Sequence, residues 1–435
     1  MTAVAVVRSP GAAAAARRPR IAVIAPEDAR RRSGPSWTDT ANNMARSLHR
    51  HAGDTAHVPV FSPVQRGGRL ANAVARGVLR HPCDFNSTWL QARDWARLFR
   101  HRLEGFDLVL ATSQTALFAL LETRIPIVYT ADATFRLVRE YYPFYAGLPR
   151  WNVHTAESIE SRGLHRAALV TYPSEWAASS AREDYCVPAR RVSVVPYGAN
   201  IDAPPPRSEL ERRDFDGTCR LLFSSGEWAR KGGDIAYATT LLLRRAGIRA
   251  ELTVVGCAPP RSVSRDVVRV VPRLDKDVAA DRQRLAELFL SSHLLFVPTR
   301  ADCSPRVFCE ASAYGVPSVT TDTGGVSSTV EEGRNGHLLP LSAGPDEYAA
   351  LIASLMDDEP RYRSLVHSSR EMFDTCLNWD AWGRAVAARI GQLGLADVQP
   401  LRLRGDGPDG ADGARDDERR LARGPRDLRA GDRHR

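Results

Sequence analysis

Short β-branched runs alternate with longer helical stretches from Arg20 onward, and the alternation runs twice, on either side of one proline-rich break. In the first half the runs are Ile21 to Ala25, Ala56 to Phe61, Leu108 to Ala111, Ile127 to Thr130, Ala168 to Tyr172 and Val192 to Val195. Runs of four to six apolar residues separated by helical material predict a parallel sheet covered on both faces. The segment IDAPPPRSELERR (residues 201–213) combines three consecutive prolines with charge and reads as a linker that continues neither a strand nor a helix core. Beyond it come strands at Arg220 to Ser224, Glu251 to Val255, Val268 to Val271, His293 to Pro298 and Val316 to Thr320. Helices are predicted from about Asp234 to Ala246, Asp281 to Phe289, Pro305 to Tyr314 and Pro345 to Asp357. The fold class is therefore α/β, with two doubly wound domains around one cleft. Ligands in such sheets sit beyond the carboxyl ends of the strands.

Composition narrows the function classes. The 435 residues are 43% hydrophobic and 26% charged, as in an ordinary globular protein, and no run of eighteen apolar residues offers a membrane span. The net charge of +9 suggests nucleic acid until it is mapped. Residues 1–20 carry four arginines and no acid, and residues 400–435 carry ten arginines against eight acids, which leaves about +3 for the body. No nucleic-acid partner is expected from so small an excess. Both ends read as disordered: residues 1–19 as a solvated leader broken by Arg8 and Pro10 rather than a secretory signal, and residues 397–435 as a Gly-, Pro- and charge-rich tail, of which 400–435 is expected to be dispensable for stability. Seven cysteines without a C-x-x-C pair give neither a disulfide framework nor a zinc site, so the expected compartment is the cytoplasm.

Two segments carry chemistry. In LLFVPTRADCSPRVFCEASAYGVPSVTTDTGG (residues 294–325) a buried strand leads into a loop and a helix, with Ser304 as the predicted N-cap, Pro305 at the first helical position, and Gly315 and Pro317 closing the helix. A helix opening at a strand end aims unpaired N–H groups and its positive dipole end into the cleft, which suits phosphate. Glu310, four residues after Arg306 on the same face, is placed to meet a neutral diol such as a ribose. In FSSGEWARKGGDIA (residues 223–236) a strand ends at Gly226, and Arg230 and Lys231 stand at the mouth of the next helix, where two cations could neutralise a diphosphate. Lys231 and Lys276 are the only lysines in the chain.

The run Asp302-x7-Glu310, then Glu310-Ala311-x-Ala313-x-Gly315-x-Pro317, then Gly324-Gly325, with upstream Arg230-Lys231-Gly232 and Pro196-Tyr197-Gly198, resembles the retaining GT-B glycosyltransferases of family GT4 over roughly residues 20–395. The resemblance implies two Rossmann-like domains. Residues 20–201 would form the acceptor domain, completed by a returning helix at 380–396, and residues 202–379 the nucleotide-sugar domain. It implies a nucleoside-diphosphate sugar donor, a sugar, lipid or small-molecule acceptor, and neither cofactor nor metal. Glu310 would hold the ribose, Asp302 the donor sugar hydroxyls, and Arg230 with Lys231 the diphosphate. Cys303, Ser304, Arg306 and Val307 would meet the sugar and pyrophosphate around the loop amides. Gly34, in the glycine loop after the first strand, and Gly226 are assigned to the donor, and Asp132 in YTADATF is the matching catalytic group of the first domain. This sequence departs from the family pattern at Asp302, where glutamate is usual, and at Pro305, Ser328 and Glu227.

Other readings compete at particular residues. Asp214-Phe215-Asp216 offers a superficial D-x-D metal motif but lies in the linker and reads as a turn. Thr134, His154 and Glu157 read equally as structural hydrogen-bonding groups. Gly68 to His81, with Arg69, Arg76 and Arg80, could form a basic amphipathic helix for weak peripheral membrane contact, although it reads first as an ordinary surface helix. Trp379 and Trp382 are expected to anchor a final helix. A two-domain binding protein without chemistry, or an epimerase or phosphorylase of the same fold, would use a similar cleft. A dinucleotide-dependent oxidoreductase is disfavoured because no G-x-G-x-x-G follows the first strand.

Overall fold

The computed structural model describes residues 17–26, 36–59, 62–77, 83–210, 213 and 215–394. Gly34, Asp214, Arg80 and the tail from residue 395 lie outside the described residues, as does the leader before Arg17. Arg17 pairs with Asp107 and Arg18 with Asp54.

The first sheet holds β1 (Arg20–Ile24), β2 (Asp54–His57), β3 (Leu108–Thr112), β4 (Ile127–Thr130), β5 (Leu169–Tyr172) and β6 (Val192–Val194). Its order is β2-β1-β3-β4-β5-β6, parallel throughout. The central strands β3, β4 and β5 are buried along their whole length, which is why they read as unbroken apolar runs rather than alternating ones. Helices α1 (Ser36–His51), α2 (Pro63–Gly77), α3 (Trp89–Phe99), α4 (Phe135–Tyr141), α5 (Arg150–Arg166) and α6 (Glu175–Glu183) flank it.

After a one-turn helix α7 (Arg207–Leu210), the second sheet is built from β7 (Thr218–Ser224), β8 (Arg249–Val255), β9 (Val268–Val271), β10 (Leu294–Val297), β11 (Ser318–Thr321) and β12 (Gly336–Leu339). It too is parallel, in the order β12-β11-β10-β7-β8-β9. The chain moves outward in one direction from β7 to β8 and in the other from β10 to β11. The loops after β7 and β10 therefore diverge, and a crevice opens at that switch point. Helices α8 (Gly233–Arg245), α9 (Ala279–Ser291), α10 (Arg306–Ala313), α11 (Pro345–Asp357) and α12 (Glu359–Thr375) cover the sheet. The last helix among the described residues, α13 (Trp379–Gln392), returns to the first half: Trp379, Trp382 and Val386 share one core with Met44 and Leu48 of α1, and Ser47 Oγ donates to the Trp379 carbonyl.

Five local expectations are corrected. The second strand is Asp54–His57, not Ala56 to Phe61, because it is a largely exposed edge strand whose position is set by pairing with β1 rather than by apolar content. The amphipathic helix begins at Pro63 and its described part ends at Gly77. Strand β12 was not anticipated, since GHLL is short and half-exposed. The linker is anchored: Leu210 of α7 is buried, and the buried Arg213 guanidinium donates to the carbonyls of Tyr314 and Gly315 at 2.7 and 2.9 Å. At α10 the N-cap is Pro305 rather than Ser304, because the Ser304 hydroxyl is used elsewhere, by a carboxylate of the other half.

Candidate active site

Adjacent strands bring distant loops together. Because β7 and β10 pair, the loop carrying Arg230 and Lys231 lies against the loop carrying Asp302, and Arg300 N donates to the Arg230 carbonyl at 2.8 Å. Lys231 Nζ forms an ion pair with Asp302 Oδ2; the two side chains are 13% and 10% exposed. Gly232, at φ +76, caps α8 in a left-handed conformation, and a Cβ there would be driven into the Pro298 carbonyl. The glycine is what allows the two loops to close on each other. Arg230 is differently engaged: it donates to both Glu227 oxygens at 3.0 and 2.6 Å and to the Ala301 carbonyl at 2.7 Å. Glu227 is held below the usual carboxylate range, first by that Arg230 hydrogen bond. Gly226, at the start of the loop, is exposed with open space beside it.

Glu310 is buried on α10 and accepts from Lys276 Nζ at 2.6 Å, while Lys276 also donates to the Asn200 carbonyl at 3.2 Å. The only two lysines of the chain thus pair with the two acids singled out by the motif. Asn200 gathers three elements, since its Oδ1 also accepts from Asn43 Nδ2 of α1 and from Trp379 Nε1. Beside this knot lies a cavity of about 1370 Å³, lined by Asp39 and Asn43 of α1, by Asn200, Asp202 and Lys276, and by Trp379. Burial pushes the Asp39 carboxyl up, Lys276 opposes that shift, and Asp277 and Glu310 add to it.

The first half reaches across the cleft. Asp132, two residues beyond β4, accepts from Ser304 Oγ, and Arg306 Nη1 stands 3.7 Å from Asp132 Oδ1. That guanidinium nitrogen is buried and donates no hydrogen bond among the described residues, although it sits at the first position of α10. Tyr141 and Tyr142, at the end of α4, accept from the backbone amides of Asp302 and Cys303 at 3.0 and 3.2 Å. Cys303 is buried, with its thiol pushed up by burial, and Val307 packs on the core of the second half. Asp132, Lys231, Asp302, Ser304 and Arg306 therefore meet at one place. Glu310 belongs to a neighbouring cluster one helical turn further along α10, and Arg230 is turned toward Glu227.

The remaining polar residues are structural in their contacts. Thr134 caps α4 and pairs with Ser180 Oγ at 2.7 Å. Glu157 accepts from Tyr185 OH at 2.7 Å, and His154 is exposed on α5. Asp216 closes a turn: it accepts from Thr218 N and Arg220, and these hold its carboxyl down at about 2. Glu160 was missed by the sequence reading. It is buried on α5, where it accepts from Thr115 Oγ1 at 2.6 Å and from Phe135 N at 3.3 Å, so it orients the helix that ends in the two tyrosines. Burial pushes its carboxyl up to about 7, against the two hydrogen bonds. Between about pH 4.5 and 7 the unfolded chain ionises this group while the folded chain keeps the proton, so stability falls as pH rises through that window. A glutamine keeps a carbonyl oxygen that accepts from Phe135 N, and the Thr115 hydroxyl, which donates to the acid, can turn to accept from the amide, yet glutamine cannot ionise. Glu160→Gln is thus expected to melt near the parent at pH 5 and above it at pH 8. Circular-dichroism melts at the two pH values decide this, and parallel curves would show that Glu160 ionises freely.

Two facing parallel α/β sheets, with the phosphate-type loop of the second turned toward an acid of the first, define the GT-B class of glycosyltransferases. Comparison with known proteins agrees. Residues 39–203 match the model described as Glycosyltransferase Family 4, and residues 219–358 that described as Glycosyl transferases group 1. The chain is 36% identical over 339 residues to D-inositol 3-phosphate glycosyltransferase 1 of Catenulispora acidiphila, covering 71% of this chain and 74% of that one. It is also 28% identical over 224 residues to the D-inositol 3-phosphate glycosyltransferase of Nocardiopsis dassonvillei, covering 46% and 50%. Several such matches span only about half the length of the relatives. Among solved structures, sucrose-phosphate synthase of Thermosynechococcus elongatus superposes with a TM-score of 0.63 at 17% identity, covering 87% of this chain and 99% of that one. Anabaena HepE in complex with UDP and glucose gives 0.59 at 17% identity, over 86% and 100%. The chain belongs to glycosyltransferase family 4.

Proposed function

We propose that the protein transfers a hexosyl group from a nucleoside-diphosphate sugar to an acceptor hydroxyl, with retention of anomeric configuration and without a metal ion or cofactor. The observation that carries this reading is the Arg306 guanidinium: buried, with an unused donor, at the opening of α10 and beside the Lys231–Asp302 pair. A donor diphosphate laid across the helix start would take that N–H and the dipole's positive end, and Lys231 would face its bridging oxygen. Asp302 would hold donor hydroxyls and Asp132 would stand on the acceptor's side. The leaving phosphate can itself accept the acceptor's proton on the same face, so no enzymic nucleophile is assigned. Arg230, tied to Glu227, supports the loop and reaches the diphosphate only if it leaves that partner.

The name of the Catenulispora relative makes an inositol phosphate one acceptor to try, and the HepE complex makes UDP-glucose one donor. Incubation with UDP-, GDP-, ADP- and dTDP-sugars, with sugars and D-inositol 3-phosphate as acceptors, tests the reading by product mass and anomeric NMR. Nucleotide binding without hydrolysis or transfer would favour the binding-protein alternative, and interconversion of the donor sugar the epimerase. Metal independence draws on the cations: the acids of the site already face Lys231 and Lys276, and the positive charge a divalent ion would bring is supplied by Lys231 and Arg306. Activity is expected to survive EDTA within twofold; loss in chelator with rescue by Mg²⁺ or Mn²⁺ would overturn this.

No helix among the described residues is long and apolar enough to cross a membrane. All seven cysteines are free, which supports a cytoplasmic location. On α2, Leu70 and Val74 are 68% and 46% exposed beside the exposed Arg66 and Arg69, an arrangement that supports weak contact with anionic lipid. Co-sedimentation with phosphatidylglycerol vesicles, lost in Leu70→Glu, checks it.

A further inference from the structure

The donor loop of the second half is already hydrogen-bonded, and its partners come from the first half. Tyr141 OH accepts from Asp302 N at 3.0 Å and pairs with Thr323 Oγ1 at 2.7 Å, while Tyr142 OH accepts from Cys303 N at 3.2 Å. The rings are held as well. Tyr141 packs on Trp176 with centroids 5.0 Å apart and on Tyr142 at 5.3 Å, and the Arg230 guanidinium lies 5.3 Å from the Tyr142 ring centroid. Room for the Tyr141 hydroxyl is made by Gly324, at φ +56, where a Cβ would stand 2.5 Å from that oxygen. The helix presenting both tyrosines is fixed at its other end by the Thr134 cap and by the Phe135 N–H donating to Glu160. Two adjacent phenols on a braced helix thus grip two consecutive amides of a loop 161 residues away.

We propose that Tyr141 and Tyr142 form an interdomain latch that competes with the donor for the amides of the 302–303 turn and so sets donor affinity. The proposal rests on the reading of this loop as the donor's sugar and pyrophosphate site. One amide N–H points in one direction, so a phenol oxygen and a donor oxygen cannot both accept it with good geometry. Donor entry must therefore exchange the phenols for ligand oxygens, and the free energy of the latched state is subtracted from the affinity. Neither tyrosine is assigned a chemical step; both act by positioning the two halves. A residue that merely contacted the donor would have the opposite signature, because its removal would weaken binding.

The test is the double variant Tyr141→Phe with Tyr142→Phe, which keeps both rings against Trp176 and Arg230 and removes only the two oxygens. Hydrogen–deuterium exchange of the 301–304 amides, without nucleotide, is expected to accelerate by about fivefold to thirtyfold, the range for losing two neutral hydrogen bonds. Calorimetric titration of parent and variant with UDP, GDP, ADP and dTDP is expected to show tighter binding of the preferred nucleotide by a similar factor, with the melting temperature tracking intact folding. Unchanged exchange would overturn the latch whatever nucleotides do. Faster exchange with equal or weaker nucleotide binding would overturn the competition. If no nucleoside diphosphate binds either protein, the donor reading itself fails, and the exchange result still decides whether the phenols hold the two halves together. Tyr141→Phe alone, keeping the Tyr142 contact, is expected to lie between parent and double variant in both readouts.

Discussion

Lys231→Ala is expected to lower kcat by about a hundredfold to a thousandfold while the donor KM changes less, the magnitude typical of removing one preorganised donor to developing charge. As the sugar departs, negative charge builds on the bridging oxygen of the diphosphate, so a contact from the lysine strengthens between ground and transition state. Only such a difference lowers kcat. The ion pair with Asp302 adds a second consequence. Without the lysine, the nearly buried Asp302 carboxylate loses its counter-charge, which is costly in a low-dielectric pocket. That structural cost must be separated from the catalytic one. Lys231→Arg restores the charge but replaces a compact ammonium with a planar fork, so it should recover the melting temperature more fully than the turnover. Steady-state kinetics and circular-dichroism melts on both variants decide the matter. A kcat within threefold of the parent would remove Lys231 from the reacting centre, and Lys231→Arg restoring both properties equally would reduce its role to holding Asp302.

What was legible in the sequence was local or periodic. The loops after β7 and β10 announced themselves because each packs its signals into about ten residues: an apolar strand, glycines at the bend, and cations or acids at the mouth. The second strand was misplaced because an edge strand with exposed side chains carries no apolar signature; its register with β1 is a backbone matter. The pairings inside the site were illegible for a different reason. Lys231 with Asp302 and Lys276 with Glu310 are separated by 71 and 34 residues; the pairing of β7 with β10 brings the first two together, and the second pair joins the loop between β9 and α9 to α10, neither of which spacing announces. The scarcity of lysine was a usable clue to Lys231, yet it said nothing of which acid each lysine meets. Tyr141 and Tyr142 carry no sequence signal of their role, since nothing in YYPFY reveals an amide donor 161 residues away. Ser304 illustrates the general conflict: a good cap by local rule, it serves Asp132 instead, and Pro305, which has no amide to satisfy, takes over the end of the helix.

Glu310→Ala is expected to weaken binding of the nucleoside diphosphate by about tenfold to a hundredfold with little effect on turnover at saturating donor. A helix-borne carboxylate accepting two ribose hydroxyls contributes about 1.5–3 kcal/mol, and a diol far from the breaking bond is held alike in ground and transition states. The Lys276 contact at 2.6 Å sharpens the expectation. With the lysine on one oxygen, the carboxylate is held in place and oriented, so truncating the lysine should cost part of what truncating the acid costs. Lys276→Met, which keeps most of the aliphatic stem, is accordingly expected to weaken nucleotide binding severalfold, less than Glu310→Ala. If the lysine acts only through the acid, the double variant should be no worse than Glu310→Ala alone, a non-additivity that independent contacts would not produce. Because Lys276 also donates to the Asn200 carbonyl, its removal loosens the linker knot, and melting curves on all three variants separate that effect from binding. Calorimetry with the preferred nucleoside diphosphate is the measurement. Unchanged affinity in Glu310→Ala would take the ribose away from α10, and additive losses in the double variant would instead give Lys276 a ligand contact of its own, on the side where Asp39 and Asn43 line the cavity.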